Sequence, residues 1–323
     1  MREALFKKQN LDKWQSFEED IQNIHSDTLA ERFIELTDDL AYAQTFYPNS
    51  TTTRYLNEIT AQFYRKIYAN KKENSNRFVT FWKYEVPMLL YRFRQELVVA
   101  FCITIISALI GVISAAYDDT FARLILGDNY IDMTLENIRK GDPLAVYGSN
   151  DPFMMFLQIT TNNIRVSFIC FVAGFLFSAG TAYLLITNGI MLGVFQYFCY
   201  QQGFLKVSLL TIWLHGVLEI SSIIVAGCAG LVMGNSILFP RTYSRIESLK
   251  RGAQNGVKIV IALVPLFIMA GFIESFITRQ HLNTFFSLLI IVPSLMFIVW
   301  YFIIYPKNMY EKNELLNNAL TRM

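Results

Sequence analysis

His215 and Glu219 are the residues of this chain best placed to do chemistry. They stand four apart in the stretch Leu214–Gly234, LHGVLEISSIIVAGCAGLVMG, and residues at that spacing are neighbours on one face of a helix. The same face continues through Ser222, Ala226, Ala229, Gly230 and Met233, a stripe of small side chains that lets helices approach backbone to backbone. Ionisable groups in so apolar a helix are costly and face a bundle interior or a wet cavity. Two chemistries suit the pair. It could handle a proton or cation, or it could be a polar clasp that hydrogen-bonds broken backbone at Asn188-Gly189 or beside Gln201.

Enzymatic signatures are absent. A helical HxxxE supplies two metal ligands, whereas a catalytic zinc takes three from the protein. The other histidines are His25 and His281, both far along the chain, so neither a metal nor a cofactor is expected. HExxH and GxSxG do not occur, and they are the helical zinc-protease and serine-hydrolase patterns. Tyr117-Asp118 and Leu126-Gly127-Asp128 superficially resemble an aspartyl intramembrane protease, but both fall at or beyond the edge of the apolar runs. No residue is assigned as catalytic. Cys102, Cys170, Cys199 and Cys228 lack metal-type spacing and sit in apolar runs, where a thiol behaves as a small hydrophobe. Gly174, Gly180, Gly189, Gly193, Gly216, Gly227, Gly230 and Gly234 recur through the middle of the chain without a phosphate-loop pattern. Of these, Gly189, Gly193, Gly216, Gly230 and Gly234 read as close-packing positions.

The elements that must hold these residues follow from composition. The chain has 323 residues, 53% apolar and 17% charged, against roughly a quarter charged in a globular domain. Residues 1–96 carry 14 basic and 14 acidic side chains, and the other 227 residues carry only 26 charges. A balanced head is thus joined to an apolar body near Leu97. The net charge of +2 gives no excess for neutralising phosphates, so nucleic acid is not a partner. The charged start, MREALFKKQN, lacks the apolar stretch of a secretory signal, which keeps the head on the side of synthesis.

A spanning helix takes about 20 mostly apolar residues. Leu97–Tyr117, Val166–Ile186, Gly216–Phe239, Ile259–Ile277 (with Glu274 near its end and Pro265 as a kink) and Phe285–Tyr305 meet that length. Ile190–Tyr200 is shorter, either a tilted crossing or part of a re-entrant hairpin. The expected fold is therefore all-α: a polytopic membrane protein with about six transmembrane helices and a small cytoplasmic helical domain. Arg241–Lys258 carries five basic residues and one acid, whereas 118–164 carries seven acids against three basic residues. The positive-inside rule puts the first in the cytoplasm and the second outside. Both termini are then cytoplasmic, in a multi-pass membrane protein.

The head, 1–76, reads as a helical bundle. Leu29, Phe33, Leu36, Leu40 and Ala43 make one apolar stripe after the N-cap candidates Ser26 and Asp27. Pro48-Asn49-Ser50 ends that helix, and Leu56, Ile59, Phe63 and Ile67 mark the next. Residues 77–96 interleave Phe78, Phe81, Trp82, Val86, Leu89, Leu90 and Phe93 with Lys83, Arg92 and Arg94. That pattern suits an amphipathic helix in the membrane interface and equally a last bundle helix packed on the head. In the outer segment, Asn150-Asp151-Pro152 is an N-cap with proline in the first turn, opening a helix through Phe153, Phe156, Leu157 and Thr160. The tail 306–323 returns to the cytoplasm.

Three motifs of the apolar body resemble the membrane domain of the stage II sporulation protein M family. They are Asn162-Asn163-Ile164-Arg165 opening a glycine-containing span, Asn188-Gly189-Ile190-Met191-Leu192-Gly193 after it, and His215-Gly216-Val217-Leu218-Glu219 opening the glycine-rich span. The likeness covers about 97–305 and marks His215, Glu219, Asn188, Asn162 and Asn163 as a candidate polar cluster. It implies a multi-spanning inner-membrane protein that, in spore formers, anchors two peptidoglycan-cleaving partners and catalyses nothing itself. This chain adds a helical head to that plan, and relatives with such a head occur in bacteria that do not sporulate. The expectation is a non-enzymatic scaffold for cell-envelope partners, in contact with membrane lipid and with envelope or cytoplasmic proteins. Homo-oligomerisation stays open. The alternative is a small transporter or channel using His215 and Glu219, and an intramembrane hydrolase ranks third.

Overall fold

The computed structural model describes residues 2–21, 26–69, 77–118, 120–140, 151–280 and 282–320. His25, His281, Asn150 and part of the outer segment lie outside them. All regular structure among the described residues is helical. The chain divides into two compact units, Met1–Val79 and Thr80–Met323.

The first unit contains α1 (Glu3–Asp20), α2 (Ser26–Phe46) and α3 (Thr51–Ala69). Its core gathers Trp14, Phe17, Leu36, Leu40, Ala43, Leu56, Ile59 and Phe63, including residues from both apolar stripes legible in the sequence. In water each fully buried aliphatic or aromatic side chain of this kind contributes roughly 1.5–3 kcal/mol. Trp14 donates its indole N–H to Asp39 at 2.8 Å, and Lys13 pairs with the same carboxylate at 2.6 Å. The turn at Pro48 is closed by Ser50, whose hydroxyl accepts the Thr53 backbone N–H at 3.1 Å. Tyr55 donates to Glu18 at 3.0 Å, and burial together with that bond pushes its phenol up to about 12.

The boundary between the units falls within α4 (Arg77–Thr80), and the second continues through a π-turn (Phe81–Glu85) and α5 (Val86–Arg92). From Trp82 onward this stretch packs on helices of the second unit. Val86 and Leu90 are buried in the core of the second unit, Trp82 donates to the Ala262 carbonyl at 3.3 Å, and Tyr301 donates to the Trp82 carbonyl at 2.8 Å. Then come α6 (Arg94–Tyr117), the short helices α7 (Phe121–Leu126) and α8 (Asp128–Arg139), and α9 (Pro152–Val172). Asp151 caps α9 by accepting the Met154 N–H at 3.0 Å. They are followed by α10 (Ala179–Gln201), α11 (Leu205–Leu238), α12 (Arg245–Phe272), α13 (Thr284–Val299) and α14 (Tyr305–Leu320).

Among the described residues, five stretches are long and apolar enough to cross a membrane: α6, α10, α11, Arg245–Gln280 and Thr284–Lys312. The sixth long helix of the bundle, α9, carries Gln158, Asn162, Asn163 and Arg165 and is less apolar than these. The helix boundaries correct the sequence reading of the second and third crossings. Val166–Ile186 is not one helix, because α9 ends at Val172 and the chain turns through Ala173–Phe175 to Ser178. Phe177 and Ser178 take left-handed backbone angles there, with φ of 52° and 67°. The short segment Ile190–Tyr200 is instead the second half of the 23-residue α10.

Helix α11 is the axis of this unit and packs against α6, α9, α10, α12 and α13. Among apolar helices in lipid, hydrophobic burial gives little preference for one partner over another, so close approach sets the association. A Cβ on Gly189 would come within 2.7 Å of both Ser107 Cβ and the Thr104 carbonyl, and Gly193 abuts the Ala108 backbone. Gly230 meets Cys170 and Thr181, and Gly234 meets Ser178. Gly216 differs: a Cβ there would meet only Ile220 and Ile212 side chains, at 3.9 and 4.0 Å.

Candidate functional site

The three polar motifs converge because none of them sits at a helix end. Asn162 and Asn163 lie in the middle of α9, Asn188 in the middle of α10, and His215 and Glu219 about a third of the way along α11. The sequence reading had placed Asn162 and His215 at span openings and Asn188-Gly189 at a turn. Moving all three into helix interiors brings them to neighbouring levels of the bundle.

A cavity of about 560 Å³ lies between α6, α9, α10 and α11, with α7 and α8 on its outer side. Its polar lining consists of Thr104, Tyr130, Asn162, Asn163, Asn188 and Glu219. Four of the five candidate residues therefore border one space. Asn163 donates its amide to Glu219 Oε1 in a short hydrogen bond. Asn188 donates to the Leu184 carbonyl of its own helix at 2.7 Å, which fixes the side chain along α10 rather than across to Glu219. The clasp expected between the His-Glu pair and backbone at Asn188-Gly189 is replaced by this α9–α11 contact.

His215 stands off the cavity, facing α12. Its Nδ1 lies 3.3 Å from the Thr278 hydroxyl, and that hydroxyl donates to the Ile273 carbonyl at 3.2 Å. The imidazole Nε2 faces Glu274, 3.8 Å from Oε1. The His215 side chain is 5% exposed and that of Glu274 13%. Glu274 sits in a π-turn, Ile273–Ile277, that ends α12, and π-turns inside α-helices often occur where a side chain must be re-aimed.

Glu274 is the residue that sequence reasoning missed. Ligand-capable atoms of His215, Glu219 and Glu274 all lie within 4.8 Å of one another. The signal available was an acid near the end of an apolar run, but nothing in the spacing of α12 ties it to a motif 55 residues earlier.

Outside the bundle, Asp118 follows α6, and its carboxyl accepts both the hydroxyl (2.7 Å) and the backbone N–H (2.8 Å) of Thr120. Those bonds hold it below the usual carboxylate range. Arg123 pairs with Asp128 and Asp132. These acids serve the local structure of the outer segment and do not enter the cavity lining.

Residues 99–279, more than half of the chain, match the family model described as stage II sporulation protein M. A second model, described as a domain of unknown function, matches residues 4–69, the three helices of the first unit. No curated protein and no solved structure matches the chain.

Proposed function

The chain belongs to the stage II sporulation protein M family, and from that premise we propose that it is a non-enzymatic membrane scaffold recruiting cell-envelope partners of the peptidoglycan-remodelling type. The observation that carries this reading is the division into two self-contained units. The head closes its own core around Trp14, Leu36, Leu56 and Phe63 and corresponds to its own family model. A unit with its own core suits a module that holds a soluble protein at a membrane. The reading gives the head to a cytoplasmic partner and the acidic outer segment to an envelope enzyme. It sets six helices, α6 and α9 to α13, across the bacterial inner membrane. The basic connection Arg241–Lys258 and both termini then lie on the cytoplasmic side.

The test is in-cell cross-linking followed by purification in mild detergent and mass spectrometry, on the full chain and on a chain lacking residues 1–76. Envelope hydrolases or cytoplasmic regulators should accompany the full chain and be lost with the head, while membrane insertion persists. Unchanged co-purification without the head would remove the head from recruitment.

A second reading is favoured by one observation, the polar cavity bordered by Glu219. A buried carboxylate beside three asparagine side chains suits a small transporter or channel handling a proton or cation. Liposome flux decides it: Glu219→Gln should lose flux while staying folded, and wild-type flux in that variant would dismiss the residue from any transport step.

A further inference from the structure

We propose that His215, Glu219 and Glu274 bind one divalent first-row transition-metal ion between α11 and α12. The proposal is independent of the scaffold reading. Its geometric basis is that ligand-capable atoms of the three side chains lie within 4.8 Å of one another, a spread that small rotamer adjustments can close around an ion held at about 2.0–2.2 Å by imidazole and carboxylate.

A second observation points to a cation independently of the clustering. His215 Nδ1 lies 3.3 Å from the Thr278 hydroxyl, and its Nε2 faces Glu274 Oε1 at 3.8 Å. Histidine ligands usually have one ring nitrogen held by a neighbouring oxygen while the other faces the metal. Among the described residues, Glu219 meets the Asn163 amide and Glu274 meets His215, neither of which carries a fixed positive charge. Two carboxyls largely withdrawn from water are neutralised either by protons or by a bound cation, and three donors converging on one point suit the cation.

The donor set selects the class of ion. One imidazole nitrogen and two carboxylate oxygens, with no thiolate, suit zinc, manganese or ferrous iron; magnesium and calcium prefer oxygen donors throughout. Three protein ligands leave a coordination position open. Glu219 borders the 560 Å³ cavity, so the open position has space beside it for water or for an oxygen donor of a bound solute. The metal would also tie the π-turn at the end of α12 to α11, the axis of the bundle.

The experiment uses the full chain, purified in detergent without a polyhistidine tag or chelator. Metal content is measured by inductively coupled plasma mass spectrometry. The protein is then stripped and titrated with zinc chloride against a chromophoric competitor. The wild type should take up about one zinc per chain, saturably. Glu274→Gln and His215→Ala should each weaken binding at least tenfold, as loss of a ligand requires, while Glu136→Gln on exposed α8 should bind as the wild type does. The wild-type titration is decisive whether or not a variant folds. A wild type that binds no zinc would overturn the proposal and make the trio a proton-sharing polar clasp, and so would zinc binding undiminished in a folded Glu274→Gln, His215→Ala double variant.

Discussion

Asn163 donates its side-chain amide to the carboxylate of Glu219, joining positions 56 residues apart in the chain. This bond couples α9 to α11, the most buried of the candidate spans. Replacing Asn163 by alanine leaves a partly buried carboxyl short of a donor, a loss of about 1 kcal/mol. Thermal unfolding in detergent should show Asn163→Ala and Glu219→Gln each less stable than the wild type, with the double variant better than the sum of the two. A coupling on the order of 0.5–3 kcal/mol is expected for partners in contact, and strict additivity would contradict the bond.

The glycines divide by what lies against them. Gly189→Ala forces a methyl group to within 2.7 Å of the Ser107 side chain and the Thr104 carbonyl, and overpacking of this kind costs roughly 1–3 kcal/mol. Gly216→Ala meets nothing nearer than 3.9 Å and gains helix propensity of up to about 1 kcal/mol. The two substitutions should shift the melting temperature in opposite directions.

Chain direction through the bundle can be read by labelling. In a background where the four native cysteines are replaced, a cysteine at Glu136 on exposed α8 should react with a membrane-impermeant maleimide in intact spheroplasts. A cysteine at Thr242, between α11 and α12, should react only after permeabilisation. Reaction of both before permeabilisation would refute the proposed orientation.

The head carries its own pH signature. The Tyr55 phenol is raised to about 12 by burial and by its bond to Glu18, against about 10 in an unfolded chain. A raised value means the stabilisation is complete below about pH 10 and is lost as pH rises toward 12. Denaturant titrations of the head should show stability declining across that window, and Tyr55→Phe should show a shallower decline, since the remaining ionisations are shared. Equal slopes would place the Tyr55 phenol in water.

The sequence by itself determined the division into a charged head and an apolar body, the helical stripes of the head, the membrane character of the body, and the family. It also placed His215 and Glu219 on one face and identified the glycines that bring α10 onto α6 and α11 onto its neighbours. Those features depend on periodicity and composition, which local physics turns directly into helix faces and burial. Tertiary structure decided where the second and third long helices begin and end, because the turn from Ala173 to Ser178 is built of apolar and small residues. Its left-handed positions fall on Phe177 and Ser178 rather than on glycine. An apolar run passes through such a turn without a break in hydropathy, so no window of composition could find it. That turn sets α9 and α10 side by side, moves Asn162, Asn163 and Asn188 into helix interiors, and lets them border one cavity with Glu219. The second acid of the cluster, Glu274, reaches His215 only through the packing of α12 on α11 and the π-turn that ends α12. Sequence spacing reports neighbours along one helix, and this contact lies between two.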